Sequence, residues 1–239
     1  SGELLGCTFS SACNYNSDAD LDDGSCYFVG DSCDDGNSTT GNDTWNNNCY
    51  CEGDICGSDL YHEGYTYSTV QIGNQCWFAE NLRYLPSVSP VLLGSEDDGM
   101  PHAYVYGYDG SNTVEAVLES TYDIYGSLYN YEAVEEWDLC PTGWSRPNHV
   151  DWDILTSNYS VLDCASTEWF GTNLTGLNFL PGGDRDGIEG DNMFVNEGSV
   201  ALMWIEDEDP LEVGIYNESW YFYGVSPTSF GLSVRCIKD

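Results

Sequence analysis

Positive charge is nearly missing from this chain. Its 239 residues hold five Lys and Arg against 41 Asp and Glu, a formal net charge of −36. So few cations are poorly suited to neutralise phosphates, which argues against nucleic acid and anionic lipid as partners and favours cations. The sole lysine is Lys238, so there is no Gly-rich phosphate loop with its lysine. No run of 18 apolar residues exists, so no segment can form a membrane-spanning helix. Zinc-type spacing is missing too. The only close cysteine pair is Cys49-Tyr50-Cys51, and His62, His102 and His149 lie far from it. What is present is 41% hydrophobic and 14% aromatic, too rich in rings for a disordered acidic tail. The length fits one large domain, or one domain with a small appendage.

Eleven cysteines are many for a reducing compartment, and disulfides persist only in oxidising ones. Ten are expected in bridges: Cys7, Cys13, Cys26, Cys33, Cys49, Cys51, Cys56, Cys76, Cys140 and Cys236. An odd total leaves one thiol free or paired between chains. The chain starts at Ser1 without Met or tag, which reads as a mature exported chain, extracellular or at the cell surface.

Composition shifts near residue 56. Residues 1–56 hold seven of the cysteines, are rich in Asn, Asp, Ser, Thr and Gly, and lack apolar periodicity. Cross-links must replace a core there, each contributing about 2–4 kcal/mol. Two cysteine-bounded units are expected, over 1–31 and 32–55, followed by a domain over 56–239. In that domain the runs Tyr65–Ile72, Tyr104–Tyr108, Val200–Ile205, Glu212–Tyr216, Ser219–Tyr223 and Leu232–Ile237 read as strands. Helices are expected at Ala79–Leu82 and Val150–Leu155, the second capped by Asn148 with Asp151 in its first turn. The fold class is α+β, strand- and loop-rich. Trp77, Trp144, Trp152, Trp169, Trp204 and Trp220 are expected in the core. Tyr122, Tyr125, Tyr129 and Tyr131 are candidates for a surface lining.

Several stretches carry a resemblance. They are VQIGNQCWFAENLRY (70–84), YVYGYDG (104–110), YGSLYNY (125–131), LCPTGWSRPNHVDW (139–152), NFLPGGDR (178–185) and the closing FGLSVRCIKD. In this order they resemble the Fibrobacter succinogenes major paralogous domain over about residues 56–239. The N-terminal units look like cysteine-rich repeats of secreted proteins from marine bacteria related to Bacteroidetes. The family in turn resembles the C-type-lectin-like fold in the version of the formylglycine-generating enzymes. GW-x-x-P-x-x-x-x-W resembles that group's RLPTEAEWE helix start, and SVRC its closing GFRC strand. The resemblance implies a lectin-like domain with a small disulfide-stapled N-terminal segment, chain ends close together, and a Cys140–Cys236 bridge. The copper-binding cysteines of those enzymes are not carried over. Two departures stand out. Ser145 sits where the family has His or a similar residue. LMWIEDED (202–209) replaces a WWSST-like stretch and brings Glu206, Asp207, Glu208 and Asp209, with Glu212 close behind.

Three acidic constellations are candidate calcium sites, because calcium takes six to eight oxygens from carboxylates and carbonyls. The first alternates Asn16, Asp18, Asp20 and Asp22 before Gly24. It is not an EF-hand, because Tyr27 stands where Glu is needed. The second gathers Asp34, Asp35, Asn37, Asn42 and Asp43. The third is the Gly-rich loop with Asp184, Asp186, Glu189 and Asp191, where Arg185 would otherwise pair with a carboxylate at the surface. Solvated turns and Asx caps explain each cluster equally simply. The runs Glu96-Asp97-Asp98 and Glu206–Asp209 read as solvated faces. Sequons stand at Asn37, Asn42, Asn158, Asn173 and Asn217.

No catalytic arrangement emerges. A Ser-His-Asp triad needs a His placed by tertiary structure, and His149 reads as an exposed residue at a helix start. Carboxylate pairs for glycoside hydrolysis stay open among 41 acids. The expected function is a non-enzymatic, calcium-associated extracellular structural or adhesive protein. Self-assembly into a filament follows from an N-terminal segment with little core, which must lean on the next copy. The alternatives are a lectin-like carbohydrate-binding module using the loop Asp184–Asn192, and a polysaccharide-active enzyme.

Overall fold

A computed structural model describes residues 2–36, 40–94, 98–186, 193–207 and 209–239, without the side chains of residues 40–42, 54, 55 and 223. The chain divides into two compact units between Cys56 and Gly57.

Unit 1 pairs β1 (Leu5–Gly6) with β2 (Leu21–Asp22) in parallel, and β3 (Thr40–Trp45) with β4 (Cys51–Ile55) in an antiparallel hairpin. Among its described residues the only buried hydrophobic ones are Cys7 and Ala12, so the expected lack of a core holds. Cys7–Cys26, Cys13–Cys49 and Cys33–Cys51 do that work instead. Cys13–Cys49 joins the two cysteine-bounded segments, and Tyr27 stacks on Trp45 at 4.1 Å across the same join.

Unit 2 opens with the meander β5 (Asp59–His62), β6 (Tyr65–Ile72) and β7 (Gln75–Phe78). Then come β8 (Ala103–Tyr104), α1 (Thr113–Ala116), α2 (Ser120–Tyr125), β9 (Leu128–Tyr129), α3 (Tyr131–Glu136) and β10 (Trp144–Ser145). The longest described helix, α4 (His149–Asn158), is followed by α5 (Val161–Cys164), β11 (Asp184–Arg185) and β12 (Phe194–Val195). β13 (Val200–Trp204), β14 (Leu211–Tyr216), β15 (Ser219–Val225) and β16 (Ile237–Lys238) complete the unit. The largest sheet runs β10-β16-β7-β6-β5, and β13-β14-β15 form a second. The Asn217-Glu218 turn between β14 and β15 has φ of 49° and 57°, the primed geometry that two-residue hairpins favour.

The strand-rich α+β class holds, as do four of the strand runs within one or two residues. Val150–Leu155 lies inside α4, with Asn148 and Asp151 forming a reciprocal capping box. His149 is exposed at the helix start, 3.4 Å from Asp207. Three expected elements are corrected. Ala79–Leu82 is not helical, because the N–H groups of Ala79 and Leu82 are donated across the fold to Ser68 and Val234. Tyr104–Tyr108 is strand only at Tyr104, since the chain turns where Gly107 takes a φ of 84°. Leu232 and Ser233 form isolated bridges to Tyr129 and Met203 rather than a strand, and pairing resumes only at Ile237.

The main core joins Trp77 and Trp152, both fully buried with ring centroids 5.2 Å apart, to Phe179, Met203, Ile205, Val213 and Ile215. Truncating such a tryptophan to Ala costs about 3–5 kcal/mol. Trp144 and Trp204 are buried as expected, and Trp169 and Trp220 pack against the core. Tyr122 and Tyr129 are buried, so they do not line a surface. Tyr122 donates to the Arg83 carbonyl and Tyr129 to the Tyr84 carbonyl.

Two arginines are core groups. Arg185, expected to pair at the surface, is fully buried. Its guanidinium donates to the carbonyls of Val91, Leu93, Gly94 and Ser229 and lies 4.5 Å from the Tyr104 ring. Arg235 donates to Leu177 O and, at 2.7 Å, to Asn81 Oδ1, above the Phe179 ring. Burial lowers both, Arg235 to about 9.

Cys140–Cys236 is formed, as the resemblance implied. Cys56 and Cys76 are also disulfide-bonded. The odd thiol is Cys164, free and fully buried at the end of α5, so pairing with another chain is closed to it. Burial pushes its thiol up to about 11.

Candidate functional site

Of the three acidic constellations, the second is brought together. Asp34, Asp35 and Asp43 each present a carboxylate oxygen within 4.8 Å of the others. The backbone explains the convergence. β3 carries a register shift between Gly41 and Thr44, a bulge that re-aims Asp43. The Cys33–Cys51 bridge holds the preceding loop against the hairpin, and Cys33 N–H donates to Asp43 O at 2.8 Å. Asp35 N–H donates to Asp43 Oδ2 at 2.8 Å, and Gly36 N–H to Asp34 Oδ1 at 2.8 Å. The Asp43 carboxylate is buried, and its Oδ1 is shut off from solvent with no hydrogen-bond donor. A buried acceptor left without a partner costs about 1–3 kcal/mol, more when charged. A divalent cation fits this donor set, because three carboxylates supply up to six oxygens when bidentate. Asn37 lies outside the described residues, as does the side chain of Asn42.

The first constellation is not a cage in this structure. Asn16 Oδ1 accepts Asp18 N–H at 3.0 Å, Asp20 Oδ2 accepts Leu4 N–H at 3.1 Å, and Asp22 Oδ1 accepts Gly24 N–H at 3.4 Å. Asn16 and Asp22 thus fasten their own turns and Asp20 ties in Leu4, and Asp18, Asp20 and Asp22 do not converge as a group of carboxylates.

In the third, Glu189 and Asp191 lie outside the described residues. Asp184 is buried in β11 rather than set in a solvated loop. With Asn196, Val200, Leu202, Glu212, Tyr216, Tyr221 and Phe230 it lines a cleft of about 300 Å³. Asp186 does not line it. Burial raises the Asp184 carboxyl to about 6, opposed by the Asn196 amide and assisted by the nearby Glu212 charge. Glu212, read from sequence as part of an acidic run, is also buried, and burial raises it. Strand alternation places Glu212 and Tyr216 on one face of β14, a signal available in the sequence but masked by the neighbouring acids.

One constellation was missed. Ser89 Oγ lies 2.9 Å from His102 Nδ1, and His102 Nε2 lies 3.1 Å from Asp98 Oδ2. Asp98 is exposed, as a solvated face requires, and also partners His102, while Glu96, Asp97 and Glu208 lie outside the described residues. In the tautomer whose Nε2–H points at Asp98, Nδ1 accepts the Ser89 hydroxyl. Ser89 is only 7% exposed, so this hydroxyl faces the interior. A broader recess of about 520 Å³ includes Asn81, Arg83, Asn173, Asn178 and Arg235. Its acids Glu80, Asp123 and Glu168 outnumber its two arginines, so it does not suit an anion.

Among the sequons, Asn217 is exposed at the tip of the β14–β15 turn. Asn158 is exposed at the end of α4, with its amide on Ile154 O. Asn173 is half-buried, accepting Asn178 N–H at 2.8 Å.

Unit 2 is therefore a strand-rich, disulfide-stapled domain with short helices and two motif arginines locked in its interior. The profile of the Fibrobacter succinogenes major domain matches residues 70–238, and the chain belongs to that family. No curated protein matches it, and no solved structure does. The family's quoted motifs map onto structure. In NFLPGGDR, Gly183 has a φ of 68° and a Cβ there would stand 2.3 Å from Val195 O, so only glycine fits. In SVRC, Arg235 and Cys236 are interior fastenings. The shared signature thus marks how the domain folds.

Proposed function

We propose that this protein is an extracellular, non-catalytic structural or adhesive module whose N-terminal unit is locked by disulfides and one calcium ion. The observation that carries the reading is the Asp34–Asp35–Asp43 group, with the Oδ1 of Asp43 buried and without a donor. A bound ion supplies the missing partner and relieves repulsion in a chain of −36. Ten oxidised cysteines support an oxidising location. Leu4, Leu5, Phe9, Leu21, Phe28 and Val29 are exposed on a unit with almost no core, which supports self-association of successive copies. The Cys140–Cys236 bridge supports a lectin-like arrangement of unit 2. Non-catalytic is the better reading of Ser89–His102–Asp98, because a nucleophile must reach its substrate and Ser89 is buried.

Differential scanning calorimetry of the intact chain tests the calcium reading. Calcium at a hundredfold excess over Kd stabilises by about 2.7 kcal/mol. EDTA should lower the first transition, and Asp43→Asn should remove the calcium response. Identical scans with calcium and with EDTA refute it. Sedimentation in calcium tests self-association, and a concentration-independent monomer defeats that part.

A further inference from the structure

The cleft between β11 and the β13–β15 sheet holds two acids and, among the described residues, no cation. Asp184 and Glu212 line it and are 3% and 7% exposed. Asp184 Oδ1 accepts the Asn196 amide at 2.6 Å. Glu212 accepts the hydroxyls of Ser226, at 2.5 Å, and of Tyr221. The other titratable groups acting on or felt by this pair are Tyr106, Asp186 and Tyr221, none of them cationic. Arg185 follows Asp184 directly, yet its guanidinium is turned to four backbone carbonyls. Two carboxylates thus sit largely desolvated, within reach of each other's charge, with no counter-ion among the described residues. Such a pair is costly unless a positive group joins it.

The rest of the lining says which positive group. Tyr216, Tyr221 and Phe230 are rings, and Val200 and Leu202 are aliphatic. A metal ion needs six or more oxygens and gains nothing from rings, whereas an ammonium is attracted by carboxylates and aromatic π-systems together. About 300 Å³ lies at the small end of ligand pockets. We propose that this cleft binds an alkylammonium group, carried by a small molecule or by a lysine side chain. Asp184 and Glu212 supply the counter-charge, and the three rings supply the wall.

Calorimetric titration of the full-length protein at pH 7 tests this with choline and with Nα-acetyl-lysine amide. The neutral control is the choline isostere in which a tert-butyl group replaces trimethylammonium. At least one cation should bind about tenfold or more tightly than the control. Glu212→Gln and Asp184→Asn, which keep shape, should each weaken it about tenfold, with both variants checked for the parent's melting profile. Choline keeps its charge at all pH, so its affinity should fall as pH drops below about 6 and Asp184 is protonated. Preference for choline assigns a free quaternary amine, and preference for the lysine amide assigns a protein side chain. The proposal is overturned if the neutral isostere binds as well as choline, if neither cation binds folded protein, or if a folded variant binds like the parent.

Discussion

Replacing Cys140 and Cys236 together by Ser should show how much of unit 2 depends on one bond. The bridge spans 96 residues of sequence, nearly the whole stretch from the end of α3 to β16. Chain entropy assigns a loop of this size about 4–5 kcal/mol, because the open chain explores far more unfolded conformations. Cys236 is fully buried, so a serine hydroxyl there adds a further cost of about 1 kcal/mol. For a domain of this size each kcal/mol moves Tm by about 2–4 °C, so the loss should be about 10–20 °C. Tryptophan fluorescence is the suitable assay, since seven of the eight tryptophans lie in unit 2. Replacing Cys33 and Cys51, which are 18 residues apart, is the internal control. It should leave the tryptophan transition of unit 2 in place. A Cys140→Ser, Cys236→Ser chain melting within about 3 °C of the parent refutes the argument.

Three further outcomes are expected. Thiol titration without reductant should count no reactive group in folded protein and one in denaturant, because Cys164 is buried and held protonated; a group reacting quickly in the native state contradicts this. Asp184 has a folded pKa raised to about 6 from 3.8, so the folded state binds the proton more tightly than the unfolded chain does. Stability should therefore fall as pH rises from about 4 to 6, on the order of 3 kcal/mol from this group, and Asp184→Asn should flatten that part of a urea midpoint profile. A fluorophosphonate probe should leave Ser89 unlabelled, and stoichiometric labelling there would end the non-catalytic reading.

Features with a local cause were legible in the sequence. Strand β6 at Tyr65–Ile72 follows from its dense β-branched and aromatic residues. Helix α4 follows from Asn148 and Asp151, whose reciprocal bonds close its first turn. That the cysteines form bridges and leave one over follows from their number, whereas the identity of the odd one, Cys164, comes from the structure. The helices α1, α3 and α5 also begin at Asn112, Asn130 and Ser160, but runs of four to six residues are too short for periodicity to reveal. What stayed hidden depends on distant partners. Arg185 reaches Val91, 94 residues away, and nothing near either residue announces the pairing. Asp34, Asp35 and Asp43 meet through a bulge, whereas Asp18, Asp20 and Asp22, with the more regular spacing, do not meet. Glu212 was hidden among acidic neighbours, because a carboxylate looks alike in sequence whether it faces water or a cleft.

The interior guanidinium groups also bear on where such a chain can work. A bond from Arg185 to a peptide oxygen in a dry core is not weakened by dissolved salt, unlike the surface pair Arg146–Glu135. Brine that quiets the repulsion among the outer carboxylates leaves these inner clasps untouched. Rising ionic strength should thus help the molecule on balance.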